Sequence, residues 1–161
     1  MSTTRTAGVL EHQPVSVRTK LAAAWTSFMF LYIYVDYLHL YKPGAIDDIL
    51  AGIVHEFDTG PTFLAFGLTL MAIPSLMILL SMTLPARVNR ATNLVVASLY
   101  IPAVGMNFLG ALPDYAFYYA LTIGVEVLLL ALILRYAWTW PRRTAPSATM
   151  ATKTTTTTSI S

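Results

Sequence analysis

Cysteine is missing from this 161-residue chain, which removes disulfide frameworks, Cys-ligated zinc, iron–sulfur clusters and thiol redox chemistry together. Charge is scarce as well. Asp, Glu, Lys and Arg make up 11% of the residues, against about a quarter in an ordinary soluble domain. With 56% of residues hydrophobic and a mean hydropathy of +0.62, so thin a charged coat cannot cover a water-soluble globule of this size. The same figures exclude a disordered chain, which requires low hydrophobicity and few aromatics. No glycine-rich phosphate loop is present, so nucleotide chemistry has no starting point.

What the chain does have is long apolar runs. A helix crossing a hydrocarbon core about 30 Å thick needs roughly 20 mostly apolar residues. Four segments qualify, at about 21–40, 62–84, 91–109 and 115–138. They are continuous rather than alternating and too long for barrel strands, and backbone amides in lipid must pair within their own segment. The first run is longer than a signal-peptide core and no A-x-A site follows it, so it reads as retained. The expected fold is all-α: an integral membrane four-helix bundle.

Charge gives this bundle a direction. Arg5, Arg18, Lys20, Arg87, Arg90, Arg135, Arg142, Arg143 and Lys153 fall on one side, nine of the ten basic residues, and only Lys42 on the other. Asp47, Asp48, Glu56, Asp58 and Asp114 lie with Lys42. Positive charge stays cytoplasmic, so both termini are expected in the cytosol of a multi-pass cell-membrane protein. The basic pI is thus a topology signal, and no nucleic-acid partner follows from it. Trp25, Trp138 and Trp140 are expected at the inner interface; Tyr37, Tyr41, Tyr115, Tyr118 and Tyr119 crowd the outer one.

Between the first two spans, Ile46, Ile49, Leu50, Ile53, Val54 and Phe57 fall at helical spacing, with Asp47, Asp48, His55 and Glu56 on the other positions. This predicts a short amphipathic helix over about 45–57 that caps the outer mouth. Tight links at 85–90 and around Pro113-Asp114 make consecutive spans antiparallel neighbours. Residues 1–17 and the Thr-rich residues 142–161 read as disordered cytosolic tails, leaving 18–141 as the membrane domain.

Glu126 is the most informative residue. It lies about 11 residues into the last span, ~16 Å down at 1.5 Å per residue and close to the bilayer midplane. An acid there costs several kcal/mol if it faces lipid, so it should face the bundle interior in its neutral form. Tyr115, Tyr119, Thr122 and Glu126 recur on one face and form a polar seam from the outer surface to the middle. A proton or cation relay or a ligand anchor is one reading of that seam. A carboxyl hydrogen-bonded across helices, for packing alone, is the other.

Asp36 and His39 share a face of the first span and form a second candidate, as an oriented His for a proton or metal or as two side chains reaching the headgroups. Asn107 sits at similar depth on the third span. Bis-histidine haem fails because His12 and His55 lie outside the spans. His55-Glu56 lacks the second His of the zinc-protease motif. No catalytic residue, metal site or cofactor is therefore assigned, and an enzyme is the minority reading. Pro74 and Pro102 inside spans imply freed carbonyls that neighbours must satisfy.

Ile73-Pro74, Arg87-Val88-Asn89-Arg90 with Asn93, Tyr136-Ala137-Trp138-Thr139-Trp140, the Tyr41-Lys42-Pro43-Gly44 turn and Glu126 together resemble an uncharacterised family of small bacterial four-helix membrane proteins. The resemblance covers roughly residues 18–141 and implies the fold but no activity. The pattern has an acidic residue before Ile73-Pro74; this chain has Ala72, which puts any shared acidic site on the second span in question. A looser likeness to DoxX-like four-helix membrane proteins has no motif behind it. Two functions follow as expectations. One is a membrane protein that binds or passes a small solute or proton through the seam of Glu126, Thr122, Tyr119, Asp36, His39 and Asn107. The other is a structural or accessory subunit that packs against itself or another membrane protein within the lipid bilayer.

Overall fold

The computed structural model describes residues 14–54, 57–106 and 113–141. Apart from one pair of two-residue strands, the regular structure is helical. The order is α1 (Val17–His39), α2 (Ala45–Leu50), β1 (Ile53–Val54), β2 (Phe57–Asp58), α3 (Pro61–Thr83), α4 (Ala86–Met106), a 3-10 turn (Pro113–Tyr115) and α5 (Ala116–Trp138). Three of these helices, α1, α3 and α5, are long and apolar enough to cross a membrane. The expected third span is not among them within the described residues. Its helix begins at Ala86 rather than near 91, and that first half carries Arg87, Asn89, Arg90, Thr92 and Asn93.

Local chemistry sets the ends. Ser16 caps α1, its Oγ accepting from the Thr19 amide at 3.2 Å, so the helix starts four residues before the apolar run does. Pro61 opens α3 at its first turn, where its missing N–H is not needed. The loop after α1 departs from the expected 45–57 helix. Gly44 (φ 85°) admits α2, which ends at Leu50, and Gly52 (φ 80°) turns the chain out of helix. The β-branched Ile53 and Val54 then pair antiparallel with Asp58 and Phe57. Two left-handed glycines and a β-branched pair outweigh the helical spacing of the apolar residues. Leu50 is 80% exposed.

The four long helices share one core, built from Leu21, Ala24, Trp25 and Phe28 of α1, Met77 of α3, Ala97, Tyr100 and Val104 of α4, and Leu130, Ile133 and Ala137 of α5. α1 packs on α3 and α5, and α5 on α4, whereas α3 and α4 meet more sparsely despite the short link between them. Buried stripes run the length of α4 (Asn89, Asn93, Ala97, Tyr100, Val104) and α5 (Tyr119, Thr122, Glu126, Leu130, Ile133, Ala137). Their spacing of three and four is that of an interhelical seam. On α1 the fully buried residues stop at Phe28, and on α3 they begin at Pro74. Packing is therefore closed at the end carrying the start of α1 and the α3–α4 turn, the terminal end. It is looser at the end carrying α2 and the strands, the hairpin end.

A buried polar network locks the terminal end. Trp25 Nε1 donates to Asn93 Oδ1 at 2.7 Å; Asn93 Nδ2 donates to Asn89 Oδ1 at 2.7 Å and Asn89 O at 2.9 Å; Asn89 Nδ2 donates to Ser81 O at 2.6 Å. Trp25 is thus a core residue, 0% exposed, and not the interface anchor its type suggests. Its indole faces α4, where the buried Asn93 amide oxygen accepts from the N–H. Nearby, Arg18 Nη1 donates to Met82 O at 2.8 Å, and Arg90 lies over the Trp138 ring at 5.7 Å.

Mid-helix, Pro74 lacks the N–H that would bond to Leu70 O. The hydroxyl of Tyr100 donates to that carbonyl instead, at 2.5 Å. A freed carbonyl in α3 is thereby satisfied from α4. Tyr100→Phe should lower stability by about 1 kcal/mol, and by less than half as much in a Pro74→Ala background, where the backbone bond is restored. Denaturation of the four variants of this cycle in detergent measures the coupling; equal losses in both backgrounds would refute it.

Candidate functional site

α5 brings the site together. Tyr119, Thr122 and Glu126 lie on its inward stripe and are all buried, Glu126 at 0% exposed. Tyr115 is half-buried at the start of the same face. Glu126 is the eleventh of the 23 residues of α5, hence about 15 Å from its start. Leu130, Ile133 and Ala137 continue the stripe below it, so the seam is polar on the hairpin side and apolar on the terminal side.

Neither carboxylate oxygen of Glu126 has a hydrogen-bond partner among the described residues. Asp36 on α1 lies within electrostatic reach of Glu126, and Tyr32 and Tyr118 within reach of both acids. Tyr118 also ties α5 to α1, its hydroxyl donating to Val35 O at 3.0 Å. Asp36 is exposed and His39 half-buried on the hairpin half of α1. Asn107, His12, His55 and Glu56 lie outside the described residues.

The structure adds one residue that sequence reasoning assigned only to a turn. Lys42, the single basic residue of the α1–α3 loop, folds back onto α5. Its Nζ donates to the Tyr119 hydroxyl at 2.5 Å and lies 4.2, 5.1 and 5.3 Å from the ring centroids of Tyr119, Tyr118 and Tyr115. The backbone sets this placement. Amides of Leu40, Tyr41 and Lys42 bond to Tyr37 O, Leu38 O and His39 O, winding the chain tightly past the end of α1, and Pro43-Gly44 then turn it away. The ammonium is held by its hydrogen bond to the Tyr119 hydroxyl, and the neighbouring Tyr118 and Tyr115 rings add cation–π attraction. The signal available beforehand was a lone lysine on the side where tyrosines crowd.

On the same side, Tyr41 bonds its hydroxyl to that of Tyr37 at 2.8 Å. That bond first, and slight burial second, hold the Tyr41 phenol above its ordinary pKa. Asp47, Asp48, Asp58 and Asp114 are exposed at this end. Exposed carboxylates at this end, a cation held by tyrosines, and a buried acid on the same face of α5 thus follow one another along the bundle. Among the described residues no group of three or more His, Asp or Glu is arranged to hold a metal ion.

A buried acid without partners opposes folding, since each orphaned polar group costs about 1–3 kcal/mol. Glu126→Leu, of similar volume, should therefore raise the thermal midpoint of the purified protein. A lowered midpoint would mean that the carboxyl makes a contact the fold depends on.

Residues 11–147 match a family described as a family of unknown function (DUF6326), and the chain belongs to that family. No curated protein and no solved structure matches it.

Proposed function

Family membership being silent on activity, we propose that this chain is a four-span protein of a bacterial inner membrane, both tails cytosolic, whose outer-half seam binds or passes a small solute or a proton. The single observation carrying this reading is Glu126, fully buried with neither oxygen partnered among the described residues. A carboxyl that costs stability and helps no neighbour is retained for something it does.

The charge distribution supports the orientation. Arg18, Lys20, Arg87, Arg90 and Arg135 belong to the terminal end, and Lys42 is the one basic described residue of the hairpin end, as the positive-inside rule requires for cytosolic termini. α4 would be the third of the four spans, its polar first half sheltered by the Asn93 network. Tyr119 and Thr122 then line the route from the outer surface, with Asp36 and His39 at its mouth.

A second reading, an accessory subunit, draws on one feature. A shallow groove between α4 and α5 is lined by Leu94, Ser98, Leu134, Arg135, Trp138 and Thr139 and opens outward at the terminal end. Crosslinking in native membranes from this groove separates the two. A stoichiometric partner supports the subunit, and lipid contacts alone count against it.

The test of the seam is thermal stability of the purified full chain between pH 4 and 9. The wild type should show a pH dependence that Glu126→Gln flattens, with the midpoint otherwise retained. Identical profiles for the two proteins would remove Glu126 from any role.

A further inference from the structure

We infer that the seam's ligand is a small organic ammonium cation, and that Lys42 is a tethered occupant of its entry site. This rests on the preceding reading of the seam and names the class of solute it takes. A lysine near a surface usually keeps its ammonium in water. Here it gives up side-chain freedom to sit among Tyr115, Tyr118 and Tyr119 and to bond the Tyr119 hydroxyl. A set of rings that holds one ammonium holds another, because the attraction is to positive charge spread over an organic head.

Two further features select the same class. Asp36, Asp47, Asp48, Asp58 and Asp114 are exposed around the mouth, so its field draws cations and repels anions. Beneath the cage, two turns along α5 and about 10 Å from Tyr119, Glu126 presents two buried oxygens with no partner among the described residues. Rings above and a lone carboxyl below suit a cation of low charge density. Hard metal ions want six or more oxygens, and no such cluster exists among the described residues. A solute entering from the hairpin end would displace the Lys42 ammonium, occupy its place and have Glu126 as its next station.

The experiment uses the full chain in detergent with tetramethylammonium chloride as probe and sodium chloride at equal ionic strength as control. Calorimetric titration should give about tenfold tighter binding to Lys42→Met than to the wild type. Lys42→Arg, which keeps the cage filled, should match the wild type. Adding Glu126→Gln or Tyr119→Leu to Lys42→Met should reverse the gain. Should the Lys42→Met protein not fold, labelling of wild-type Lys42 by an amine-reactive ester gives the same answer: tetramethylammonium should speed it, and sodium should not. No binding to Lys42→Met, or an unchanged labelling rate, overturns the inference. If Glu126→Gln still flattens the pH profile in that case, the seam reading stands and only the ligand class falls; if it does not, both fall.

Discussion

The fold depends on one amide. Asn93 takes the Trp25 indole proton on one side and gives its own to Asn89 on the other, while Asn89 reaches the carbonyl of Ser81. Three helices, α1, α3 and α4, are thereby fastened at a single level. Where no water is available, a polar group left unmatched is worse than no polar group, so the arrangement admits few alternatives. It also explains how α4 tolerates a polar first half. Asn89 and Asn93 are consumed by the network, and Arg90 lies against the Trp138 ring.

The opposite end follows the other rule. There α1 and α3 bury no residue completely, and the polar groups of α5 are not closed off by a matching network. Lys42 rests on rings supplied by a helix more than seventy residues further along the chain. Glu126 has no hydrogen-bond partner among the described residues. Among the described buried side-chain atoms, Arg90 Nε at the terminal end and both oxygens of Glu126 midway along α5 are the ones left without a hydrogen bond.

Much of this was legible in the sequence. Apolar length alone located α1, α3 and α5 to within a few residues, and spacing on the last helix put Tyr119, Thr122 and Glu126 on one face. The freed carbonyl before Pro74 was foreseeable, because a missing donor is a property of proline; which hydroxyl would answer it was not. The loop after α1 misled because the apolar spacing of Ile46 to Phe57 is helical, while the left-handed turns at Gly44 and Gly52 decide the path. Trp25 looked like an interface residue because the Asn that binds it lies on another helix, and the Lys42 cage was hidden for the same reason. Pairings between distant segments leave no period to read.

The bond from Tyr100 to Leu70 gives α3 a missing rung whose replacement belongs to a neighbour. A helix interrupted at its waist is a flexure, and here the flexure is pinned from outside. α4 is therefore held to α3 at two heights, by Tyr100 at mid-length and by Asn89 on Ser81 O near the α3–α4 turn, so it cannot turn about its own axis without giving up both bonds.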